Sequence, residues 1–387
     1  MKRFLKRLLI ALGIIVILLE TGLVLTDNGY VNKVLQLTVL RGINEPDIYE
    51  LELFDYDIVA IDQPQPWAAS VRYNTVSPDA AAIRTMEKLR TTGFLVVHRD
   101  SLLFEKYWEN ATAETVSNSF SMAKSIVGIL IGCALKDGLI QSIDQPVSDF
   151  IPAFKEPSKA GITIRHLLTM SSGLDFKEDY VSVFSWPAEA YYGPDVNGLT
   201  MKGNAVMKPG TVWQYKGGDT QLLGMILTKV TGMKVSDYAS LKLWKPIGAE
   251  NTAYWSKDEV GNVKVSCCYY ASARDFAKIG RLYKEYGRWG EKQIVDSAYV
   301  VGSITNAPLV DISQKPVVKY GFQWWLMNYK HQNIFYMRGI RGQYVFVIPA
   351  MDLIVVRLGH LRGEKGSDNI PSDVYVYLDA AFQVAGI

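Results

Sequence analysis

The stretch Ser119-Phe120-Ser121-Met122-Ala123-Lys124-Ser125-Ile126-Val127-Gly128 places a serine three residues ahead of a lysine, at the start of an apolar run. The run continues through Ile129, Leu130, Ile131, Ala134 and Leu135 and stops at Lys136-Asp137-Gly138. It is apolar nearly all round, the pattern of a buried helix, and Asp137-Gly138 supplies a C-terminal stop. In a helix that begins near Ser121, residues three apart share a face. Ser121 Oγ and the Lys124 ammonium then converge at the helix N-terminus. A serine hydroxyl becomes a useful nucleophile when a base takes its proton. A lysine serves as that base when burial lowers its pKa, and an almost wholly apolar helix provides the burial. The backbone N–H groups of the helix N-terminus add a favourable site for a developing oxyanion. A serine and lysine at this spacing also recur by chance, so the rest of the chain has to supply the context.

Working outward, the 387-residue chain is 49% hydrophobic and 21% charged, with a formal net charge of +2. That composition predicts a globular body with a sizeable core. No long basic block follows the first few residues, which argues against a nucleic-acid partner. The three cysteines, Cys133, Cys267 and Cys268, read as packing residues, because a bridge between adjacent residues is rare. The four histidines are scattered and form no H-E-x-x-H, so no metal site and no cofactor is expected.

Residues 1–26 form a targeting segment: Lys2, Arg3, Lys6 and Arg7 precede an apolar run from Leu8 to Leu19, and Gly22-Leu23-Val24-Leu25 resumes it after Glu20. Together these residues approach the ~20 needed to span a bilayer. An uncleaved N-terminal membrane anchor with the body outside is the expectation, and a cleaved signal is the alternative. Residues 27–77 read as a connecting arm that lies on the body, since Leu53, Tyr56 and Trp67 are too apolar for a free linker. Residues 78–387 form the main domain. There, residues 79–91 look helical, and residues 93–98 and 102–108 form a hairpin around Arg99-Asp100-Ser101. Residues 174–206 are loop-rich and aromatic, which fits either a cleft lining or a small loop core. A helix over residues 220–230 stops at Gly232, Ser272 caps another over 272–286, and strand-like segments fill residues 321–358 before a final helix over 371–384. Strands at both ends with helices between predict an α+β fold: an antiparallel sheet built from both chain ends, flanked by helices, with a mainly helical insert and an N-terminal hydrophobic helix.

At this point the motifs add up to a resemblance. Ser121-Met122-Ala123-Lys124 resembles the nucleophile motif of the penicillin-recognising serine hydrolases, which comprise β-lactamases, penicillin-binding proteins and esterase relatives. The stretch from His166 through Ser172-Gly173-Leu174-Asp175 looks like the segment that follows the nucleophile helix. Pro209-Gly210, Tyr215 and Leu222-Leu223-Gly224 are similar to the second motif. Gly339-Ile340-Arg341-Gly342-Gln343 resembles a variant of the third. Within the superfamily the chain is most similar to the 6-aminohexanoate-dimer hydrolase group, related to class C β-lactamases and family VIII esterases. The pointers are Asp175-Phe176-Lys177-Glu178-Asp179-Tyr180, Val265-Ser266-Cys267 followed by Ser272-Ala273-Arg274-Asp275, and Gly339-x-x-Gly342-Gln343.

The resemblance implies a β-lactamase-like serine hydrolase for small ester or amide substrates that needs no cofactor. Ser121 is the nucleophile, and Lys124 and Tyr215 transfer protons. The backbone N–H groups of Ser121 and Gln343 form the oxyanion hole. It further implies substrate contacts from Tyr180, Asn262, Gly339, Arg341 and Gly342. Two departures stand out: the second motif is Tyr215-Lys216-Gly217 without the usual asparagine, and the third lacks Lys-Thr-Gly, leaving Arg341 to supply a positive charge. The rival readings are a non-catalytic, membrane-anchored protein that senses cell-wall peptides and a scaffold that docks partners through its aromatic loop. The chain has no G-x-S-x-G elbow, which argues against an α/β-hydrolase.

Overall fold

The computed structural model describes residues 2–43, 45–366 and 369–387, so Met1 of the targeting segment lies outside the described residues. At its centre is a six-stranded sheet of β1 (Thr91–His98), β2 (Ser101–Tyr107), β3 (Trp325–Tyr329), β4 (Gln332–Gly339), β5 (Gln343–Ile348) and β6 (Leu353–Gly359). Its order is β2-β1-β6-β5-β4-β3, and every neighbouring pair is antiparallel. Two strands from before the nucleophile helix thus pair with four from the C-terminal part. Arg99 and Asp100 both take positive φ, 50° and 56°, which gives a two-residue hairpin turn that follows the twist of the strands.

The sheet is buried on both faces, and the two-residue period of β5 shows how. Val345 and Val347 enter one core, while Tyr344, Phe346 and Ile348 enter the other. A register shift opposite Val96 and Val97 puts Leu103 and Phe104 on the same side, as a β-bulge does. The second core is closed by α3 (Ala80–Lys88) and the C-terminal helix α7 (Asp373–Ala385). The first is the larger and holds the helical insert: α4 (Ala123–Lys136), α5 (Gly217–Thr231) and α6 (Ala273–Lys284). Along α4, twelve residues from Ala123 to Ala134 are buried. Ile126, Ile129 and Leu130 share that core with Leu222, Leu223 and Ile226 of α5, and each such side chain is worth about 1.5–3 kcal/mol on burial. Ser272 Oγ accepts the Asp275 N–H and so caps α6 as its sequence predicts. Gly232 ends α5 at φ 65°.

A second, four-stranded sheet consists of Tyr56–Val59, Ala253–Ser256, Tyr269–Ala271 and Ser117–Asn118, in that order. Its last strand runs directly into the nucleophile turn, where the Ser119 N–H donates to Tyr269 O at 2.7 Å. This sheet is therefore what fixes the entry of the chain to Ser121.

At the N-terminus, α1 (Lys2–Leu25) contains the window Arg3–Leu25 with mean hydropathy 2.8 and nothing buried. By length and composition it can cross a membrane. After four intervening residues begins α2 (Tyr30–Leu37), whose Tyr30, Val31 and Val34 pack with Phe54, Tyr191, Tyr192 and Cys268. One sequence reading is corrected. Cys267 and Cys268 are joined as a disulfide, whereas Cys133 is free and buried. A left-handed turn at Cys268, φ 67°, lets neighbouring side chains meet where an extended chain would send them to opposite sides.

Candidate active site

Ser121 sits in a single 3₁₀ turn, Phe120–Met122, that leads into α4. Phe120 takes φ 44°, an uncommon conformation for a side chain of this size. The neighbours hold it there. Asn118 Oδ1 accepts the Phe120 N–H at 2.9 Å, and Ser119 O lies so close to Gly339 that a Cβ there would approach to 2.3 Å. Gly339 is thus required by the contact between the β4 end and the nucleophile turn, and it lines the cleft beside Ser121.

The next turn of the helix brings Lys124 over the serine. Its Nζ donates to Ser121 Oγ at 3.2 Å and to Ser266 O at 2.6 Å, and the residue is only 3% exposed. Burial pulls the ammonium down to about 8, against the opposing charge of Glu178. A lysine neutral near that pH can accept the serine proton. Tyr215 arrives from the loop before α5. Its hydroxyl lies near enough to Ser121 to be influenced by it, and Lys124 Nζ stands 5.2 Å from its ring centre. Trp325 at 5.3 Å and Tyr320 at 6.1 Å wedge the ring in place. Burial raises the phenol well above its ordinary value, so Tyr215 rests protonated. The structure brings Ser121, Lys124 and Tyr215 together.

The departure in the second motif has a steric cause. A Cβ at Gly217 would approach the Trp186 ring to 2.2 Å and Glu178 Oε1 to 3.0 Å. The Gly217 N–H donates to that same carboxylate. Lys216, in the position between, is buried and donates to Leu174 O, so it braces the loop 174–206 rather than facing substrate.

Glu178 had no assigned role in the sequence reading, although its segment carried the resemblance. The structure sets it among Lys124, the Gly217 N–H and the Tyr180 hydroxyl, and burial, opposed by those three partners, raises its carboxyl. A Gly two residues after Tyr215, opposite an acidic loop, is the signal that could have pointed to it. Tyr180 is 52% exposed as a residue, yet its hydroxyl bonds Glu178 and reaches Ser121. Tyr180 and Ser121 line the same cleft.

Three substrate-site expectations are corrected. Asn262 is remote from the cleft lining. Its amide donates to Asp195 Oδ1 at 3.0 Å and Asp258 Oδ2 at 3.1 Å and accepts from Asn197, tying the loop 258–262 to the short helix Val196–Met201. Gln343 is fully buried, with its side chain held by Gly359 and Ile340 O, and is not part of the cleft wall; Ile340 is. Gly342 also stays out of the wall: at φ 83° it makes the turn, with Arg357 packed where a Cβ would be. Arg341 does line the cleft, but its guanidinium donates to His360 O at 2.9 Å and pairs with Glu45 of the arm at 3.5 Å.

Around these groups lies a cleft of about 730 Å³. Val34, Thr38, Glu45 and Pro46 of the N-terminal arm, the 178–192 loop, Trp213 and Trp325, and the third-motif turn form its walls. The aromatic loop is both things its sequence allowed: Tyr191 and Tyr192 enter a small core with the arm, while Tyr180 and Trp186 face the cleft. Among the described residues no group of side chains is arranged to hold a metal ion.

Comparison with known proteins agrees with this geometry. The chain is 26% identical over 334 residues to the 6-aminohexanoate-dimer hydrolase of Paenarthrobacter ureafaciens, covering 76% of this chain and 82% of that one. Penicillin-binding protein 4* of Bacillus subtilis is 28% identical over 144 residues, 36% of this chain and 30% of its own. At the level of fold alone, a Bacillus anthracis structure assigned to the 6-aminohexanoate-dimer hydrolases superposes with a TM-score of 0.74 at 20% identity, over 87% of this chain and 92% of the other. A family VIII carboxylesterase does so with 0.61 at 15% identity, over 83% and 99%. The Beta-lactamase family model matches residues 79–374, a span that contains the sheet, the helical insert and the Ser121–Lys124–Tyr215 cluster; the chain belongs to the beta-lactamase family of serine hydrolases.

Proposed function

We propose that the chain hydrolyses ester or amide bonds of small molecules or short oligomers through a covalent ester on Ser121. The observation that carries this reading is the buried Lys124 Nζ at 3.2 Å from Ser121 Oγ, with the Tyr215 hydroxyl beside the same group. Lys124 takes the serine proton as Oγ attacks the carbonyl carbon. Tyr215 then protonates the leaving oxygen or nitrogen and afterwards helps activate water. The backbone N–H groups of Ser121 and Ile340, both on the cleft wall, take the place of the pair first expected from Ser121 and Gln343. Tyr180 covers the acyl group. In this reading α1 anchors the protein in a membrane with the catalytic body on the outer side, supported by its apolar length and the four cations that precede the apolar run.

The test uses a fluorophosphonate serine probe and intact mass. The wild type is expected to gain one label and Ser121→Ala none, with ester turnover lost by at least ~10³-fold in the variant. A folded wild type that takes no label removes the hydrolase reading and returns the non-catalytic binding protein.

A further inference from the structure

Apolar side chains stand exposed beside the cleft on two segments that touch each other. Val181, in the cleft wall, is 95% exposed, and Phe184 of the same loop is exposed as well. On the N-terminal arm Val34 and Thr38 line the cleft. Their sequence neighbours Leu35, Val39 and Leu40 are exposed, Leu40 to 79%. The Tyr30 hydroxyl of α2 donates to Val183 O at 2.9 Å, and Tyr30, Val31, Val34 and Val183 share one small core. The arm and the 178–192 loop are therefore held side by side. Large apolar residues gathered on the surface beside a site mark a place where something apolar covers them.

The N-terminal helix identifies the cover. Its outer end is docked on the body at this same place: Leu23 packs against the small core, and Asp27 stands 4.0 Å from Lys202. Asn32 of α2 donates to Glu20 Oε2 at 2.7 Å. Glu20 and Asn32 lie on either side of the turn 26–29, so α2 runs back along the end of α1, as in a hairpin of helices. With α1 in a bilayer, α2 heads back toward that bilayer and carries the turn Val39–Arg41 to its surface. We infer that Leu35, Val39, Leu40, Val181 and Phe184 seat in the lipid interface, so that the cleft opens onto the membrane and takes single-chain amphiphiles: esters or amides of long-chain fatty acids drawn from the bilayer. This rests on the serine-hydrolase reading above and on α1 as the anchor. Tyr180 covers the acyl group in that reading, and Val181 follows it directly, so the alkyl chain leaves the cleft past the apolar rim and its far end stays in lipid. In the step concerned the Ser121 Oγ–acyl carbon bond forms and the bond from that carbon to the leaving oxygen or nitrogen breaks. The departing atom keeps the electron pair and receives the Tyr215 proton, while the serine proton goes to Lys124. Water then adds to the acyl carbon, restores the serine hydroxyl and releases the fatty acid.

The test uses the full chain reconstituted in phosphatidylcholine vesicles. The position of the rim is read with a fluorescent dye on Leu40→Cys, since the free Cys133 is buried. Lipids brominated in the acyl chain should quench the dye, and aqueous iodide should not. The substrate class is read as kcat/KM for nitrophenyl palmitate against nitrophenyl butyrate in the same vesicles, each corrected for partitioning and normalised to its hydroxide-catalysed rate. A preference of about 10-fold or more for the palmitate is expected. In Val39→Asp/Leu40→Asp, two positions outside the cleft wall, the ratio should fall toward one while butyrate turnover is unchanged. A dye quenched by iodide and untouched by brominated lipid, or shielded from both as by a protein partner or a second copy, overturns the lipid contact. A butyrate preference, or a ratio unmoved by the double variant, overturns the substrate class. Either result, with Ser121 still labelled by the fluorophosphonate, leaves the hydrolase reading standing. No label on Ser121 and no turnover of either ester overturns the hydrolase reading itself, and the substrate class with it.

Discussion

Two parts of the cleft lining hold their charged groups in different surroundings. On one wall Lys124, Glu178 and the Tyr180 and Tyr215 hydroxyls are pressed together away from water, and each is shifted toward its neutral form, with burial the largest cause. On the other, Arg338, Arg362 and Lys365 sit on half-buried or exposed side chains. The first arrangement tunes proton affinities, which is what acid–base chemistry needs near neutral pH. The second leaves its cations near solvent, in high dielectric, where charge is worth little for stability.

The sharpest break in the buried wall is Tyr215→Phe. It keeps the ring between Trp325 and Tyr320 and removes the hydroxyl that protonates the leaving group in the proposed mechanism, so kcat should fall by roughly 10²–10⁴-fold with KM little changed. Steady-state kinetics on a neutral ester measures it. Next is Gly217→Ala, whose methyl collides with Trp186 and crowds Glu178. Overpacking of this kind costs about 1–3 kcal/mol, read as a lower Tm together with slower acylation. Glu178→Gln acts on charge rather than shape. Glu178 holds the Lys124 ammonium up against burial, so its removal makes Lys124 easier to deprotonate. The acid limb of the rate profile should move to lower pH, and a shift upward would contradict the placement of that carboxylate. The smallest effect is expected from Asn262→Ala. Loss of its hydrogen bonds costs about 0.5–1.5 kcal/mol, while kcat/KM stays near the wild-type value. A large drop in kcat/KM at unchanged stability would restore the cleft role that the family resemblance implied.

What could be read from the amino-acid order follows a physical line. Ser121 and Lys124 were legible because a helix converts a spacing of three into a shared face, whatever surrounds it. The strand character of residues 343–348 and the hairpin at Arg99-Asp100 were legible for the same reason: both follow local rules. The third motif was not. Arg341 at φ 60° and Gly342 at φ 83° reverse the chain between β4 and β5, and a one-residue difference in such a turn decides whether Ile340 or Gln343 faces the cleft. Glu178 and the cationic cluster depend on loops meeting across long stretches of sequence, as does the use of Val34 and Glu45 from the arm as cleft wall. The disulfide at Cys267–Cys268 depends on a single left-handed residue that the sequence does not mark.

The claim on which the rest depends is that a buried, neutral Lys124 activates Ser121. It is tested most directly by the rate of fluorophosphonate labelling as a function of pH, from about pH 6 to about pH 10, with the labelled residue identified by peptide mass. The account predicts a single label on Ser121 whose rate rises with pH around a midpoint near 8, where Lys124 loses its proton. A rate that is flat across that range, or a label on any other residue, would contradict it.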